Sequence, residues 1–276
     1  MRKRILWFMA GVAMACSGGE DDFVSSESGR EMPLLKPEIE AMDGVLPASL
    51  AAGDLFGIYV ACGDAGSEPV LQASGNYRDN APVMYNEGSL SWDEEIYFPL
   101  NGGDMAVYAY APYIEAVENS LEVPFAVEVD QYPEGAYEAS DFLWAKELVP
   151  QDGTGETALQ FSHRMSRVVL VLTPGEGVDL SGGMDVRLSG IRRECRINLQ
   201  TGSVHVPVEA QETEIFPRSE DGMTYEVVLP PQYVPAAVRF VKLTTATKSW
   251  SWVTPSGGCT LRAGETLTFN LTLTDD

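Results

Sequence analysis

Across residues 267–274 apolar and polar side chains alternate without a break: Leu, Thr, Phe, Asn, Leu, Thr, Leu, Thr. In a β-strand successive side chains point to opposite faces, so this pattern gives one buried and one wet face. Residues 125–130 repeat the alternation. Residues 195–208 read as a hairpin, with Ile197 and Leu199 on the way out, a turn at 200–203, and Val204, Val206 and Val208 on the way back. Three other runs, 55–62, 105–111 and 168–172, are almost continuously apolar, as strands covered on both faces are. Residues 225–229 and 239–245 add two more strands. Helical candidates are short: two turns at 114–121 and one at 47–52, neither long enough for a core helix. With 26 glycines and 17 prolines as punctuation, many short strands joined by turns predict an all-β fold of sandwiches. No fixed-period repeat points to a propeller or solenoid.

The body divides near its middle. Residues 150–156 are polar and turn-forming, and long strands resume after them. Leu159, Phe161, His163 and Met165 share one parity, whereas Val168, Leu170 and Leu172 take the other. A strand whose buried parity changes midway is expected to leave one sheet and enter another. The reading is two tandem β-sandwich domains, residues 31–156 and 157–276, meeting around residues 151–167.

Ahead of them stands a targeting segment. Arg2, Lys3 and Arg4 precede an apolar stretch, residues 5–14, and then Ala15-Cys16. That is the layout of a secretory signal peptide, residues 1–15, and it is too short for the ~20 apolar residues of a membrane span. A cysteine directly after a small residue resembles a bacterial lipobox with Cys16 as the lipidated residue, although Ala13 stands where leucine is usual. The alternative is ordinary cleavage near Ala15, with Cys16 a spare thiol. Residues 16–30 then form a polar, acidic tether that opens Ser17-Gly18-Gly19-Glu20-Asp21-Asp22 and lacks the apolar side chains to fold. Removing the first fifteen residues takes the net charge from −23 to −26. Such a field repels phosphate backbones and anionic headgroups, which excludes nucleic acid as a partner and leaves a lipid anchor as the only membrane contact.

Little of the chain suggests catalysis. Beyond Cys16, the cysteines Cys62, Cys195 and Cys259 show no metal-binding or redox spacing. Whether any two form a disulfide is not written in the sequence. Of two histidines, His163 lies on the apolar parity with Phe161 and Met165 and reads as a hydrogen-bonded core residue, and His205 reads as a surface one. No nucleophile elbow, zinc motif or calcium loop occurs, and the acidic run Asp93-Glu94-Glu95 reads as loop solvation rather than a glycosidase pair. No cofactor or metal is expected. The candidates for ligand binding are Trp250 and Trp252, which share a strand face. They are either a stacked sugar platform or apolar cover for a core or seam.

Five motifs in order then carry a resemblance: residues 105–113 (MAVYAYAPY), 140–145 (SDFLWA), 159–168 (LQFSHRMSRV), 229–232 (LPPQ) and 263–271 (AGETLTFNL). Following a lipobox and an acidic tether, they resemble the fimbrillin (Mfa-like) family, the subunits and relatives of type V pili, over essentially the whole mature chain. The resemblance implies transthyretin-like sandwiches, a lipoprotein anchored in the outer membrane and exposed on the cell surface, and a structural or adhesive role without catalysis. The acidic run after Cys16 likewise resembles the surface-export signal of lipoproteins from Gram-negative anaerobes. Implied partners are other fimbrial subunits, joined by strand addition, and a host or bacterial surface protein or glycan. Shaft subunits of the family lose an N-terminal strand to a trypsin-like protease, baring a groove for a neighbour's C-terminal strand. Arg30 is the candidate processing site. Only Asp275 and Asp276 follow the last strand, so the expectation is a terminal, anchoring or accessory subunit rather than a repeating one. The rival reading is a surface glycan-binding lipoprotein of a polysaccharide-uptake system. Replacing Cys16 by Ala is expected to move the protein from the membrane fraction to the soluble fraction on immunoblots; unchanged membrane retention would exclude lipidation at Cys16.

Overall fold

A computed structural model describes residues 30–42, 50–64, 66–92, 95–100, 103–151, 155–180 and 182–274. Cys16, the signal segment and most of the tether lie outside the described residues, as do Asp93, Glu94 and the first three residues of the short helix expected at 47–52, whose last three are not helical. The described chain is almost entirely β, as the alternation requires. Its first half contains β1 (Leu34–Ile39), β2 (Leu55–Cys62), β3 (Arg78–Asn86), β4 (Ser89–Ser91), β5 (Met105–Ala111), β6 (Val123–Ala126), the one-turn helix α1 (Ala136–Ala139), β7 (Leu143–Val149) and β8 (Glu156–His163). The second half contains β9 (Ser166–Pro174), β10 (Asp185–Arg192), β11 (Glu194–Asn198), β12 (Ser203–His205), β13 (Glu212–Ile215), β14 (Thr224–Leu229), β15 (Tyr233–Val234), β16 (Arg239–Thr244), β17 (Ser249–Val253), β18 (Cys259–Thr260) and β19 (Thr266–Leu273).

Strands β1-β4-β3-β2-β5-β7-β8 form one sheet closed on itself. The closure is the parallel pairing of β1 with β8, in register from Leu34↔Glu156 to Ile39↔Phe161. The remaining strands build the sheets β13-β10-β16-β17, β14-β9-β19 and β12-β11-β6, with β15-β18 as a small addition. Chain order does not follow the sheets: β6 precedes residue 157 yet pairs with β11, Cys195 opposite Phe125.

The apolar runs at 55–62 and 105–111 are buried on both faces, and parity decides which core each side chain enters. Phe56, Ile58, Val60, Met105, Val107 and Ala109 point into the closed sheet with Leu35, Leu159 and Phe161. Tyr59, Ala61, Ala106, Tyr108 and Tyr110 point the other way, into a core shared with Val168, Leu188, Ile197 and Phe240. The antiparallel pairing of β2 with β5 places Gly57 opposite Tyr110, and the tyrosine ring lies where a Gly57 side chain would be. From there an aromatic row continues through Phe142, stacked on Tyr110 at 5.5 Å, to Phe125, edge-on to Phe142 at 5.1 Å.

The parity change near residue 165 is the passage of the chain from one sheet to another: β8 belongs to the closed sheet and β9 to the sheet with β14 and β19. Along this ribbon the backbone groups alternate sides. Phe161 and Met165 carbonyls accept from Glu40 and Gly264, while Arg164 and Leu172 amides donate to Phe142 and Met223. β1 and β19 therefore lie along the same edge, both parallel to the ribbon, one on each half.

Several local expectations are corrected. Residues 114–121 are not helical, because side chains take the backbone groups a helix would use: Asn80 Nδ2 donates to the Ile114 carbonyl at 2.8 Å, and the Ile114 amide donates to the Tyr110 hydroxyl at 3.3 Å. The hairpin at 195–208 forms, but β12 ends at His205 and Val208 is exposed. The final strand alternates as read, yet Leu267, Phe269 and Leu271 are half-buried and only Leu273 is fully covered. Cys62, Cys195 and Cys259 are free thiols.

Two glutamines complete the cross-chain pairing. Gln131, fully buried, accepts from the Val228 amide at 2.9 Å and donates to its carbonyl at 2.8 Å. Gln232 does the same for Arg192 at 3.0 and 2.9 Å. Each primary amide stands in for one residue of a missing neighbouring strand.

A Cβ on Gly57 would sit 2.2 Å from Tyr110 Cε1, and the ring has no room to retreat. Gly57→Ala is expected to lower stability by about 1–3 kcal/mol, the range for overpacking. Gly182→Ala, with nothing within 4 Å, is expected to change it by less than about 0.5 kcal/mol. Urea unfolding followed by tryptophan fluorescence reads both.

Candidate functional site

The features that bear on function are the seat of β1, a cleft at its end, and the tryptophan strand β17. β1 enters the fold through residues 30–32, whose backbone pairs with the segment before β5: the Met32 amide donates to the Ile96 carbonyl at 2.7 Å, and the Phe98 amide to the Arg30 carbonyl at 2.8 Å. Arg30 is held at this point. Its guanidinium lies 5.7 Å from the centroid of the Phe98 ring and donates to the Gln151 carbonyl. Leu35 is fully buried inside the closed sheet, and Lys36 pairs with Glu156 at 2.6 Å. Arg30 thus lies before β1, so cleavage after it leaves β1 attached to the body. Between Lys36 and Arg78 the sequence has no lysine or arginine.

Where β1 ends, a cleft of about 920 Å³ opens between the closed sheet and the second core. Ile39, Phe56, Pro112 and Leu143 give it an apolar side, and the connection through α1 gives it a charged one. Arg167 donates to Glu226 at 2.6 Å, and Arg218 donates to Glu138 at 2.7 Å while its guanidinium lies 3.5 Å over the Tyr137 ring. Burial, together with nearby carboxylates, pushes the Tyr137 phenol up to about 12. The arginines are therefore already matched to carboxylates, and the cluster ties α1 to β9 and β14.

His163, at the end of β8, is 7% exposed, in keeping with a hydrogen-bonded core histidine. Nδ1 lies 2.6 Å from Asp141 Oδ2, and Nε2 lies 3.1 Å from the Glu40 carbonyl oxygen. Both partners are acceptors, so the ring has no hydroxyl or thiol to activate among the described residues. Nor is any group of three or more His, Cys, Asp or Glu side chains placed to hold a metal among those residues.

Trp250 and Trp252 share one face of β17, and both are half-buried. Trp250 Nε1 donates to the Thr274 carbonyl at 2.7 Å, and the Trp252 ring lies 4.6 Å from Phe269 and 6.1 Å from Phe240. The indoles thus bridge β17 to β19 across the open side of the second core. Sequence reasoning singled out His163, Arg30 and the tryptophans individually. It missed α1, Gln131 and Asp141, because their roles come from partners far along the chain and no local period marks them.

The sequence matches the model of a family described as fimbrillin-like over residues 45–276. No curated protein matches it. Among solved structures, a candidate cell adhesion protein of Bacteroides ovatus is similar at 18% identity and a TM-score of 0.68, covering 89% of this chain and 93% of the other. A second, from Bacteroides uniformis, shows 20% identity and a TM-score of 0.66, covering 90% and 93%. A fimbrial protein of Bacteroides ovatus shows 17% identity and a TM-score of 0.54, covering 89% of this chain and 51% of that one. At these identities the likeness is one of fold.

A chain beginning at Glu31 keeps β1 and loses one backbone hydrogen bond, the guanidinium hydrogen bond to Gln151 and one cation–π contact. It is expected to fold with a cost of about 1–2 kcal/mol in urea unfolding. A chain beginning at Ala41 empties the place of Leu35, whose side chain alone is worth about 2–5 kcal/mol, and unpairs the β8 edge. It is expected to aggregate or unfold at markedly lower urea; equal stability of the two chains would show that β1 contributes nothing to closure.

Proposed function

This chain belongs to the fimbrillin-like family, and from that premise we propose that it is a non-enzymatic, lipid-anchored surface protein that ends or anchors a fimbrial fibre rather than repeating along its shaft. The observation that carries this reading is the seat of β1. A shaft subunit of this family gives up its N-terminal strand to a trypsin-like protease so that a neighbour can add a strand in its place. Excising β1 in that way needs a basic residue after it, and none occurs between Lys36 and Arg78. Lys36 itself lies within β1, engaged with Glu156, and Arg30 lies ahead of the strand. With β1 retained, its hydrogen bonds to β8 stay occupied and the groove needed for strand addition stays filled. Such a subunit joins other fimbrial subunits from one side only.

An adhesive role for the rest of the surface is supported by the similar Bacteroides proteins described as cell adhesion proteins. Anchoring is carried by Cys16 and the acidic tether. The purified mature protein, incubated with an Arg/Lys-specific protease, is expected to remain monomeric on electrophoresis and form no filaments under the electron microscope. Ala41→Arg places a cleavage point in an exposed position two residues after β1, and this variant is expected to lose β1 on digestion and to aggregate or unfold at lower urea than the digested wild type. Long fibres formed by the wild-type protein alone would overturn the terminal assignment.

A further inference from the structure

A neutral imidazole carries one N–H and one lone pair; only the imidazolium donates from both nitrogens. At His163 both ring nitrogens face acceptors, the Asp141 carboxylate at 2.6 Å and the Glu40 carbonyl at 3.1 Å. In the neutral ring one of these contacts would set a lone pair against a lone pair. The two partners belong to different parts of the fold. Glu40 is the residue after β1, and its amide donates to the Phe161 carbonyl at 2.8 Å. Glu40 is thus clamped to β8 through both its N–H and its C=O. Asp141 lies between α1 and β7.

We propose that His163 is a protonation-controlled latch on the end of β1: the charged ring joins Glu40 to the α1–β7 corner, and the neutral ring keeps its one N–H on the Asp141 carboxylate and releases Glu40. The surrounding charges favour this role. Burial opposes the charge on the ring, but hydrogen bonding and attraction from Asp141 and from Glu40 outweigh it, and the imidazole is held above its usual range. Of the cations on the same ribbon, Arg164 attracts Glu40 while burial opposes its charge. Arg164 lies 4.4 Å over the Trp144 ring, and Arg167 pairs with Glu226, which also meets Arg218. Tyr137, which lines the same cleft, is pushed up and stays neutral, and Asp54, Glu134 and Glu138 are the other acidic side chains lining it. Because the folded value is raised, the stabilisation is fully present below the unfolded value of about 6.5. It is lost as pH rises through the folded value.

The chain has two histidines, so the ring Cε1–H resonance of His163 can be followed beside that of exposed His205. Hydrogen exchange of the Glu40 amide, corrected for intrinsic rate, reports on the latch itself. Its protection is expected to fall severalfold as pH rises from 6 to 8.5, in step with titration of His163. His163→Gln removes the titrating group and is expected to abolish this pH dependence. Asp141→Asn keeps the ring and is expected to lower the midpoint of both the resonance and the protection change, which preserves the test if His163→Gln does not fold. Protection of Glu40 that is unchanged with pH in the wild type would overturn the latch, as would a midpoint unmoved by Asp141→Asn.

Discussion

The fold depends on burying both faces of β2 and β5. A strand pair with one wet face needs one core; this pair separates two, and its alternate side chains belong to different ones. Neither core can form fully without the wall, and the wall cannot face water on either side. At about 25 cal/mol per Å² of apolar surface, leaving either face wet would outweigh the few kcal/mol by which a domain is normally stable. Gly57 follows from the same constraint, since the wall must also accommodate the Tyr110 ring that starts the aromatic row to Phe142 and Phe125.

The wall also explains why the chain weaves between the sheets. The ribbon of β8 and β9 passes from one core to the other, and β1 and β19 pair along the same edge of it, with β7 and β14 on the other. β1 completes the closed sheet and β19 completes the second core, where Trp250 and Trp252 fill the space to β17. The first strand is thus a structural member of the fold, and the proposed terminal role turns on whether that strand can leave. Lys36 in the strand and the stretch to Arg78 without a basic residue are sequence facts; only the position of β1 gives them meaning.

Much of the architecture was legible because burial writes a period into the sequence. The continuous apolar runs became doubly covered strands, the alternation at 267–274 became β19, and the parity change after Met165 became the passage between sheets. What stayed hidden was pairing over long separations. Nothing near Gln131 or Gln232 marks them as substitutes for a strand, and nothing near β6 marks β11 as its partner. Residues 114–121 looked helical because their backbone partners, Asn80 and Tyr110, lie outside the segment. His163 was legible as a core residue from its parity, whereas Asp141 and Glu40, which give it two acceptors, lie 22 and 123 residues away. The family resemblance reached the surface role through motifs that on this structure are mostly core and corner residues.

The central claim is that β1 stays in place and the protein therefore occupies an end of a fibre or stands at the membrane. Immunogold electron microscopy of intact cells, with an antibody raised against this protein, tests it most directly. The account predicts label at the cell surface or at single points on fibre ends. Label repeated along the length of fibres would contradict it.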